Sequence, residues 1–454
     1  MIKIKKENNM LNKLTLLYIL LTFTSSLLAS TYMLKESTRK KSSIDRMPKG
    51  VVADMKRIPQ NPSFYAKQIK PFSTSDQKQL DKKFNKKYFK PWDLKTIDIP
   101  KKDFGWETRF VRRKPIYRSN GRVIPSSIYE GWIKNANMAG LNSKKYKAIT
   151  IRRTDVKALP TTNTFYRDPK RVGEGFPFDY NQNSAHHINV PLFVSHFSRD
   201  KHWAFVRGSY AFGWVKVKDI ALVSQDFRKK FKNGSYAMTI KDNLRLYDKK
   251  NKPISLVKVG ALFPLSGDKK HYLVGKRNNK GHAHLEKVSV VNPNIIVKKP
   301  LAFNANNVAL LAKEFYGEPY GWGGRNECRD CSATTRDFLG VFGIFLRRNS
   351  SKQAKDGKST SIKGLKKAAK KKKIIQDAQP FRSLLYVPGH IVLYLGQYKG
   401  EPVIMHTYWG IRKNDGTKLV TGRTIITSTE PGKERGDVKE RSKLINTFKT
   451  IVNF

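Results

Sequence analysis

The spacing of hydrophobic and polar residues changes along the chain and divides it into regions of different predicted structure. In residues 61–145, the segment "STSDQKQLDKKFNKKYF" has helical spacing after a Ser/Thr/Asp start, which predicts a small N-terminal helical domain. From residue 147 to 224, apolar and polar residues alternate in short runs, and a second series of such runs occupies 235–297. Short strands separated by frequent turns are typical of small β-barrels, so we predict one barrel in each region.

Residues 298–454 have a different pattern, in which helical segments precede the strands. The region opens with "NNVALLAKEFYGEPY", later contains the lysine-rich "LKKAAKKKKII", and then has apolar strands in "GHIVLYLGQ" and "PVIMHTYWG". Helices followed by antiparallel strands indicate an α+β domain, and we expect the lysine-rich helix to face solvent. The predicted architecture is therefore multi-domain: a helical unit, two small barrels and a C-terminal α+β domain.

The N-terminus has the layout of an export signal. Several lysines precede an apolar run from Leu14 to Leu28, and the small residues Ala29 and Ser30 follow. No cysteine follows the run, which excludes a lipoprotein anchor. We predict a signal peptide or N-terminal anchor over 1–30 and a polar linker over 31–60, because the run is close to the shortest length that spans a membrane. Export would place the protein in the periplasm or cell envelope.

The composition is strongly basic. Of 454 residues, 90 are Lys or Arg and 35 are Asp or Glu, which gives a formal charge of +55. Such a surface attracts polyanions. Export makes an anionic wall or membrane surface the expected partner, and no specific nucleic acid is expected. A lysine-rich composition spread over solvated faces explains the charge equally well.

The only two cysteines of the chain, Cys328 and Cys331, lie in the stretch "GRNECRDCSATTRDFLG". A redox pair normally follows a strand, whereas a glycine-rich loop precedes these residues, and the carboxylate of Asp330 disfavours an attacking thiolate. A structural zinc site needs four ligands, and the chain has no second cysteine pair. We therefore predict neither a metal nor another cofactor.

A nucleophilic cysteine explains more of the pattern. If a helix begins at Ser332, Cys331 lies at its N-terminus, where free N–H groups favour a thiolate. A nucleophile needs a base, and His390 and His406 fall on what reads as one hairpin. The alternative is that the histidines are ordinary polar residues of strands and that the cysteine is a small buried apolar residue. The predicted helix has a buried stripe and a glycine terminator, formed by Ala333, Phe338, Leu339, Phe342 and Gly343.

The hairpin gives the two histidines a defined relationship. Pairing Gly396 with Pro402 would place His390 opposite Tyr408, with His406 diagonal to His390 on the same face. The expected separation is roughly 7–8 Å by backbone geometry. A cysteine at a helix start, followed by a histidine that opens a strand and another on its partner strand, is the papain-type order of a triad.

The phrases "YGWGG", "RDCSATTRDFLGVFGIFLRRNS", "VPGHIVLYLG" and "VIMHTYW" resemble the NlpC-type cysteine peptidases of bacterial cell walls. The resemblance implies a papain-like fold with a Cys-His-His triad. The two barrels, with "WAFV" and "GWV" in the first, resemble bacterial SH3-like domains of one multi-domain branch, as does the helical unit. That branch cleaves the bond between γ-D-glutamate and the L-diamino acid of peptidoglycan stem peptides, with a preference for a free N-terminal L-alanine.

The resemblance also implies residue roles. Cys331 corresponds to the nucleophile, His390 to the base and His406 to its orienting partner. Asp330 and Ser332 correspond to the flanking residues that help to hold the amino group of the substrate.

Two further positions follow from the family pattern. Asn349 of "LRRNS" stands where the family often has an aspartate, so the ion pair with the substrate amine would be missing. In "FPFDYNQNS" of the first barrel, Asp179 and Tyr180 are candidates to close the site.

Other functions use the same features. A muramoyl-alanine amidase, or an enzyme that transfers rather than hydrolyses, could use this triad. A non-catalytic protein that binds wall or another polyanion would use the barrels and the charge. A secreted nucleic-acid binder would need recognition beyond charge.

Overall fold

The computed structural model describes residues 50–454, apart from 101–102, 172, 249, 251, 269–270 and 291. The predicted signal or anchor and most of the linker lie outside the described residues. Within the described part, no helix combines the length and the apolar character that crossing a membrane requires.

The N-terminal region is helical, as predicted. The longest helix begins after Ser73, whose hydroxyl accepts a hydrogen bond from the N–H of Asp76 (3.1 Å), and it buries Phe84, Tyr88 and Phe89 on one side. A serine cap followed by aromatic residues at helical spacing therefore specifies this element. The helices of the region are α1 (Asp54–Arg57), α2 (Pro62–Ala66), α3 (Thr74–Phe89), α4 (Trp106–Arg113) and α5 (Ser126–Asn135).

The first predicted barrel is a single antiparallel sheet with the strand order β3-β2-β6-β5-β4-β1-β7. Its core includes Val194, Val206 and Trp214, none of which is exposed. The loop between β2 and β3, residues 158–181, extends toward the C-terminal domain. The strands are β1 (Tyr146–Thr150), β2 (Thr154–Lys157), β3 (Gln182–His186), β4 (Pro191–Phe197), β5 (Trp203–Gly208), β6 (Phe212–Lys216) and β7 (Ile220–Leu222).

A short helix, α6 (Gln225–Phe231), leads into the second region of short strands. These strands form a three-stranded sheet, β11-β8-β14, and two hairpins, β9-β10 and β12-β13, around a separate apolar cluster that includes Leu246, Phe263 and Val274. The strands are β8 (Tyr236–Thr239), β9 (Leu244–Tyr247), β10 (Pro253–Val257), β11 (Leu262–Pro264), β12 (Tyr272–Arg277), β13 (Ala283–Val288) and β14 (Ile296–Lys298).

The C-terminal domain has the predicted α+β layout. Its sheet has the order β15-β20-β16-β17-β18-β19, and every pair is antiparallel. The helices are α7 (Ala305–Phe315), α8 (Cys331–Val341), α9 (Ser350–Gln353), α10 (Lys367–Asp377) and α11 (Leu444–Thr447), and the strands are β15 (Lys358–Ser361), β16 (Ser383–Val387), β17 (His390–Tyr398), β18 (Glu401–Arg412), β19 (Lys418–Ser428) and β20 (Thr450–Asn453).

Helix α8 is buried on every side rather than along one stripe. The β17-β18 face of the sheet packs on one side, and Gly260 of the second strand region approaches Asp337 on another. Its residues therefore include buried charges that an amphipathic pattern does not anticipate. The lysine-rich helix α10 differs from expectation at one position, because Lys370 is buried and donates to the carbonyl of Asn446 (3.0 Å).

The predicted pairing of Gly396 with Pro402 is wrong by one residue. Gly396 pairs with Val403, and a bulge between Tyr394 and Gly396 then shifts the register, so that Leu393 pairs with Met405. A bulge adds one residue to one strand. Continued to the other end of the hairpin, the shifted register places His390 opposite Tyr408, as expected.

Candidate active site

Cys331 is the first residue of helix α8, and Asp330 caps that helix. The Asp330 Oδ1 atom accepts a hydrogen bond from the N–H of Ala333 (2.9 Å). The preceding glycine-rich loop packs against the first barrel: a Cβ atom on Gly323 would lie 2.2 Å from the carbonyl oxygen of Gln182, and its φ is +61°. Glycine is therefore required there, because a side chain would force the loop away from the barrel.

His390 opens strand β17 and His406 lies on strand β18, with their rings in contact. The Nε2 atom of His390 is 3.1 Å from Nδ1 of His406, and Nε2 of His406 is 3.1 Å from Oγ1 of Thr427. The ring of Tyr408 packs against both imidazoles, at centroid distances of 5.1 and 4.7 Å. The side chains of the two histidines thus meet across the hairpin.

The hydroxyl of Thr427 determines which ring nitrogens of His406 and His390 carry protons. It donates to the carbonyl oxygen of Ser428 (2.7 Å), so its oxygen accepts the Nε2–H of His406. The Nδ1 atom of His406 is then an acceptor for the Nε2–H of His390. When both rings are neutral, the Nδ1 atom of His390 is unprotonated and available as a base.

The thiol and the two imidazoles are held neutral. Burial raises the pKa of Cys331 to about 12, and the Asp330 carboxylate adds to this rise. Burial lowers the pKa of His390 to about 4 and holds that of His406 well below its usual range. The backbone N–H groups of Ile391 and Ser332 face the sulfur and favour the thiolate, but burial dominates. The helix N-terminus was expected to favour a thiolate, and burial reverses that expectation.

The predicted substrate-binding residue Asp330 is already fully hydrogen-bonded. Besides Ala333, its carboxylate accepts from the N–H of Gly323 (3.1 Å), the hydroxyl of Ser332 (3.1 Å) and both terminal nitrogens of Arg348 (3.0 and 2.5 Å). Although burial opposes ionisation, the Arg348 guanidinium lowers the pKa of Asp330. The Ser332 hydroxyl also accepts from Arg348 (2.7 Å). Both predicted residues are therefore bound to this guanidinium.

Arg348 was missed by sequence reasoning, which chose its neighbour Asn349. Arg348 is buried and also donates from Nε to the hydroxyl of Ser184 on β3 (2.9 Å), which links the first barrel to the nucleophile helix. Asn349 is exposed, precedes α9 and makes no capping hydrogen bond with its side chain. The only available signal was the double arginine in "LRRNS".

Asp179 and Tyr180 lie in the barrel loop that faces the glycine-rich loop. Asp179 is fully buried, and its Oδ1 atom accepts from the N–H groups of Phe165 (3.1 Å) and Asn181 (2.9 Å), so it fastens its own loop. Tyr180 is half-buried, and its ring centroid lies 6.0 Å from that of Trp322. Both side chains reach the loop before Cys331, since the other carboxylate oxygen of Asp179 lies 3.7 Å from Nη1 of Arg325.

An aromatic cluster joins the barrel loop to the site, and the sequence pattern did not reveal it. The ring of Phe178 lies 5.2 Å from Trp322, 5.6 Å from Trp409 and 6.2 Å from Tyr320. Trp409 directly follows Tyr408 of β18, the residue whose ring packs against both histidines. Aromatic residues in "FPF", "YGW" and "TYWG" were the available signal.

Cys328, the second cysteine of the chain, lies in the loop before helix α8. The sulfur of Cys328 contacts the carbonyl oxygen of Asn326 (3.4 Å). Across the described ranges, no group of three or more His, Cys, Asp or Glu side chains has the arrangement of a metal site.

Comparison with known proteins identifies three parts of the chain. Family models match residues 20–140 as the NLPC_P60 stabilising domain, N term, residues 164–216 as an SH3 domain of the SH3b1 type, and residues 317–415 as the NlpC/P60 family. The comparison with curated proteins finds no match.

A solved structure shows the same fold. The chain is similar to a novel NlpC/P60 endopeptidase from Photobacterium damselae subsp. piscicida, at 22% identity over 90% of this chain and 98% of that one, with a TM-score of 0.78. A NlpC/P60 family protein from Bacillus cereus ATCC 10987 matches 68% of this chain and 99% of its own at 16% identity, with a TM-score of 0.45. The chain belongs to the NlpC/P60 family of peptidoglycan hydrolases, as a multi-domain cysteine peptidase with an N-terminal stabilising domain and an SH3 domain.

Proposed function

We propose that this protein hydrolyses the bond between γ-D-glutamate and the L-diamino acid of peptidoglycan stem peptides, by a Cys-His-His acyl-enzyme mechanism. The observation that carries the proposal is the line of hydrogen bonds from Thr427 through His406 to His390, beside Cys331 at the start of α8. This line orients one unprotonated imidazole nitrogen, which a cysteine peptidase needs for its base.

The reaction begins from a neutral thiol and a neutral imidazole. As the sulfur of Cys331 attacks the γ-glutamyl carbonyl, its proton passes to Nδ1 of His390. The unpaired backbone N–H of Cys331 at the helix N-terminus donates to the developing oxyanion. His390 then protonates the leaving amine of the diamino acid, and the acyl-enzyme forms.

Water completes the cycle. His390, again neutral, takes a proton from a water molecule, which attacks the thioester. The carbon–sulfur bond then breaks, the γ-glutamyl product leaves as its carboxylic acid, and the proton on Nδ1 of His390 returns to the sulfur. Throughout, His406 keeps the His390 ring in one tautomer and orientation, since its own Nε2–H is bound to Thr427. His406 is therefore a positioning residue.

A free N-terminal L-alanine places an ammonium group in the site, which needs an anionic partner. Asp330 is committed to Arg348, so we assign this role to the barrel loop. The hydroxyl of Tyr180 donates to the carboxylate of Glu174 (3.3 Å), and Glu174 makes no ion pair with any described residue. A half-buried carboxylate that has no ion-pair partner among the described residues suits an ammonium ligand.

The cationic surface supports retention at an anionic wall or membrane surface. Helix α3 carries a row of exposed lysines, and its Asp81 is turned inward to Lys299. We propose that residues 1–30 direct export to the envelope, in keeping with the location of cell-wall hydrolases of this family. The exposed lysines of α3 are Lys78, Lys82, Lys83, Lys86 and Lys87.

The test is mass spectrometry of L-Ala-γ-D-Glu-diaminopimelate after incubation with wild type and Cys331→Ala under reducing conditions. Release of L-Ala-γ-D-Glu by the wild type alone supports both the bond and the nucleophile. Cys328→Ala is the matched control and should retain activity. Release of an intact stem peptide from muramoyl substrates would indicate an amidase, and wall binding without any hydrolysis would indicate a binding protein.

A further inference from the structure

Lys418 lies at the edge of the aromatic cluster and forms no ion pair within the part of the chain that the structure describes. It begins strand β19, is half-buried, and its Nζ atom lies 5.7 Å from the centre of the Phe178 ring. No carboxylate among the described residues pairs with it. Burial lowers the pKa of Lys418, and the charge of Arg412, its partner in the β18-β19 ladder, lowers it further.

Lys418 lies on the same side of the proposed active site as His390. Phe178, which Lys418 contacts, packs against Trp409, and the preceding residue Tyr408 packs against His390. The charge of Lys418 also acts on the His390 ring, where it adds to the effect of burial in lowering the pKa. The barrel loop closes the other side, because a Cβ atom on Gly173 would lie 3.1 Å from the lysine Nζ.

The proposed mechanism determines which part of the substrate lies next to Lys418. His390 protonates the leaving nitrogen, which belongs to the diamino acid, so this residue of the stem peptide occupies the His390 side. Diaminopimelate carries a carboxylate at the far end of its side chain, whereas lysine ends in an ammonium group alone. An unpaired, partly desolvated ammonium binds the first and repels the second.

We infer that Lys418 binds the distal carboxylate of the diamino acid, and thereby selects diaminopimelate-type over lysine-type stem peptides. The inference rests on the proposed function and adds to it the identity of the leaving group. Arg412 reinforces the selection, since it adds positive charge at the same edge. The charge of Lys413 is already neutralised by Asp415 (3.1 Å), so this lysine takes no part in the selection.

The test compares kcat/KM for L-Ala-γ-D-Glu-meso-diaminopimelate and L-Ala-γ-D-Glu-L-Lys. Both peptides carry a free α-carboxylate and differ at the distal carboxylate. We expect the wild type to prefer the first by about tenfold or more, as one charge-assisted contact allows. Lys418→Met should bring the ratio close to one by slowing the first peptide, and Lys418→Arg should restore the preference. Lys413→Met is the matched control and should leave the ratio unchanged.

The ratio separates recognition from effects on the base. Loss of the Lys418 charge alters the pKa of His390, but this change affects both peptides equally and cancels. Equal cleavage of both peptides by the wild type, or equal slowing of both by Lys418→Met, would overturn the inference while the proposed function stands. Cleavage of neither peptide by a folded wild type would overturn the proposed function, and the inference with it.

Discussion

Arg348 forms a bidentate ion pair with Asp330, the residue that immediately precedes the proposed nucleophile. The two nitrogen–oxygen distances are 3.0 and 2.5 Å, and both side chains are buried. The pair holds the cap of α8 and, through Ser184, ties that helix to the first barrel. A carboxylate that sequence comparison assigns to the substrate thus has a structural partner in the free enzyme.

Removal of this partner should be costly. Arg348→Met leaves the Asp330 carboxylate buried without a counter-charge, so we expect a loss of about 3–5 kcal/mol in the free energy of unfolding. Arg112→Met is the control, because Arg112 and its partner Glu130 are 54% and 43% exposed, so the loss of this pair should change the free energy of unfolding far less. Denaturant titration measures both. Equal losses in the two variants would show that Asp330 does not depend on its ion pair.

The sequence predicted those features that depend on local pattern. A short stretch of sequence determines each of three such features. These are the serine cap and aromatic spacing of α3, the start of α8 next to the cysteine, and the hairpin that carries the two histidines. Periodicity and capping determine such elements nearly independently of the rest of the fold.

What the sequence did not predict depends on contacts between distant segments. The bulge at Gly396 lies where a Cβ atom would meet Gln68 of the N-terminal region at 2.5 Å. The choice of Arg348 over Asn349, and the approach of Phe178 to Trp409, likewise require the first barrel and the C-terminal domain to be packed together. The thiol of Cys331 is neutral for the same reason, because the packing of these segments buries it and raises its pKa.

The neutral resting state of the site sets the pH dependence of activity. His390 must be unprotonated to accept the thiol proton, and burial lowers its pKa to about 4. We expect kcat/KM to fall only as the pH drops toward 4, well below the ordinary value of 6.5. Because burial also raises the pKa of Cys331 to about 12, activity should not rise between pH 7 and 10. Steady-state assays with circular dichroism at each pH test this, and an acid limb near 6.5 would contradict it.

Thr427 should control catalysis without touching the substrate. Thr427→Val removes the acceptor for the Nε2–H of His406, which frees His406 to take the wrong tautomer and lose its contact with His390. We expect kcat to fall about fivefold, with KM little changed, since one hydrogen bond of about 1 kcal/mol orients the base. Thr427→Ser keeps the hydroxyl and should restore kcat. If valine and serine variants have the same kcat, the hydroxyl has no positioning role.

Lys299 should make folding stability depend on pH in alkaline solution. Its ammonium is fully buried at the junction of α3 and the C-terminal domain, where it contacts Asp81 and Asn85. Burial lowers the pKa of Lys299 from 10.5 to about 8, although Asp81 opposes the change. Between these values the unfolded chain binds more protons than the folded protein, so the free energy of unfolding rises with pH.

The size of the rise can be isolated by comparison with Lys299→Met. From pH 8 to 10.5, the wild type should gain about 3 kcal/mol relative to this variant, which is the full effect of the lowered pKa. Lys298→Met, at the exposed neighbouring position, should keep the wild-type dependence. Urea titrations at several pH values measure the three proteins, and the other lysines cancel in the difference. A gain of the same size in Lys299→Met would mean that Lys299 keeps an ordinary pKa, because its ion pair with Asp81 compensates fully for burial.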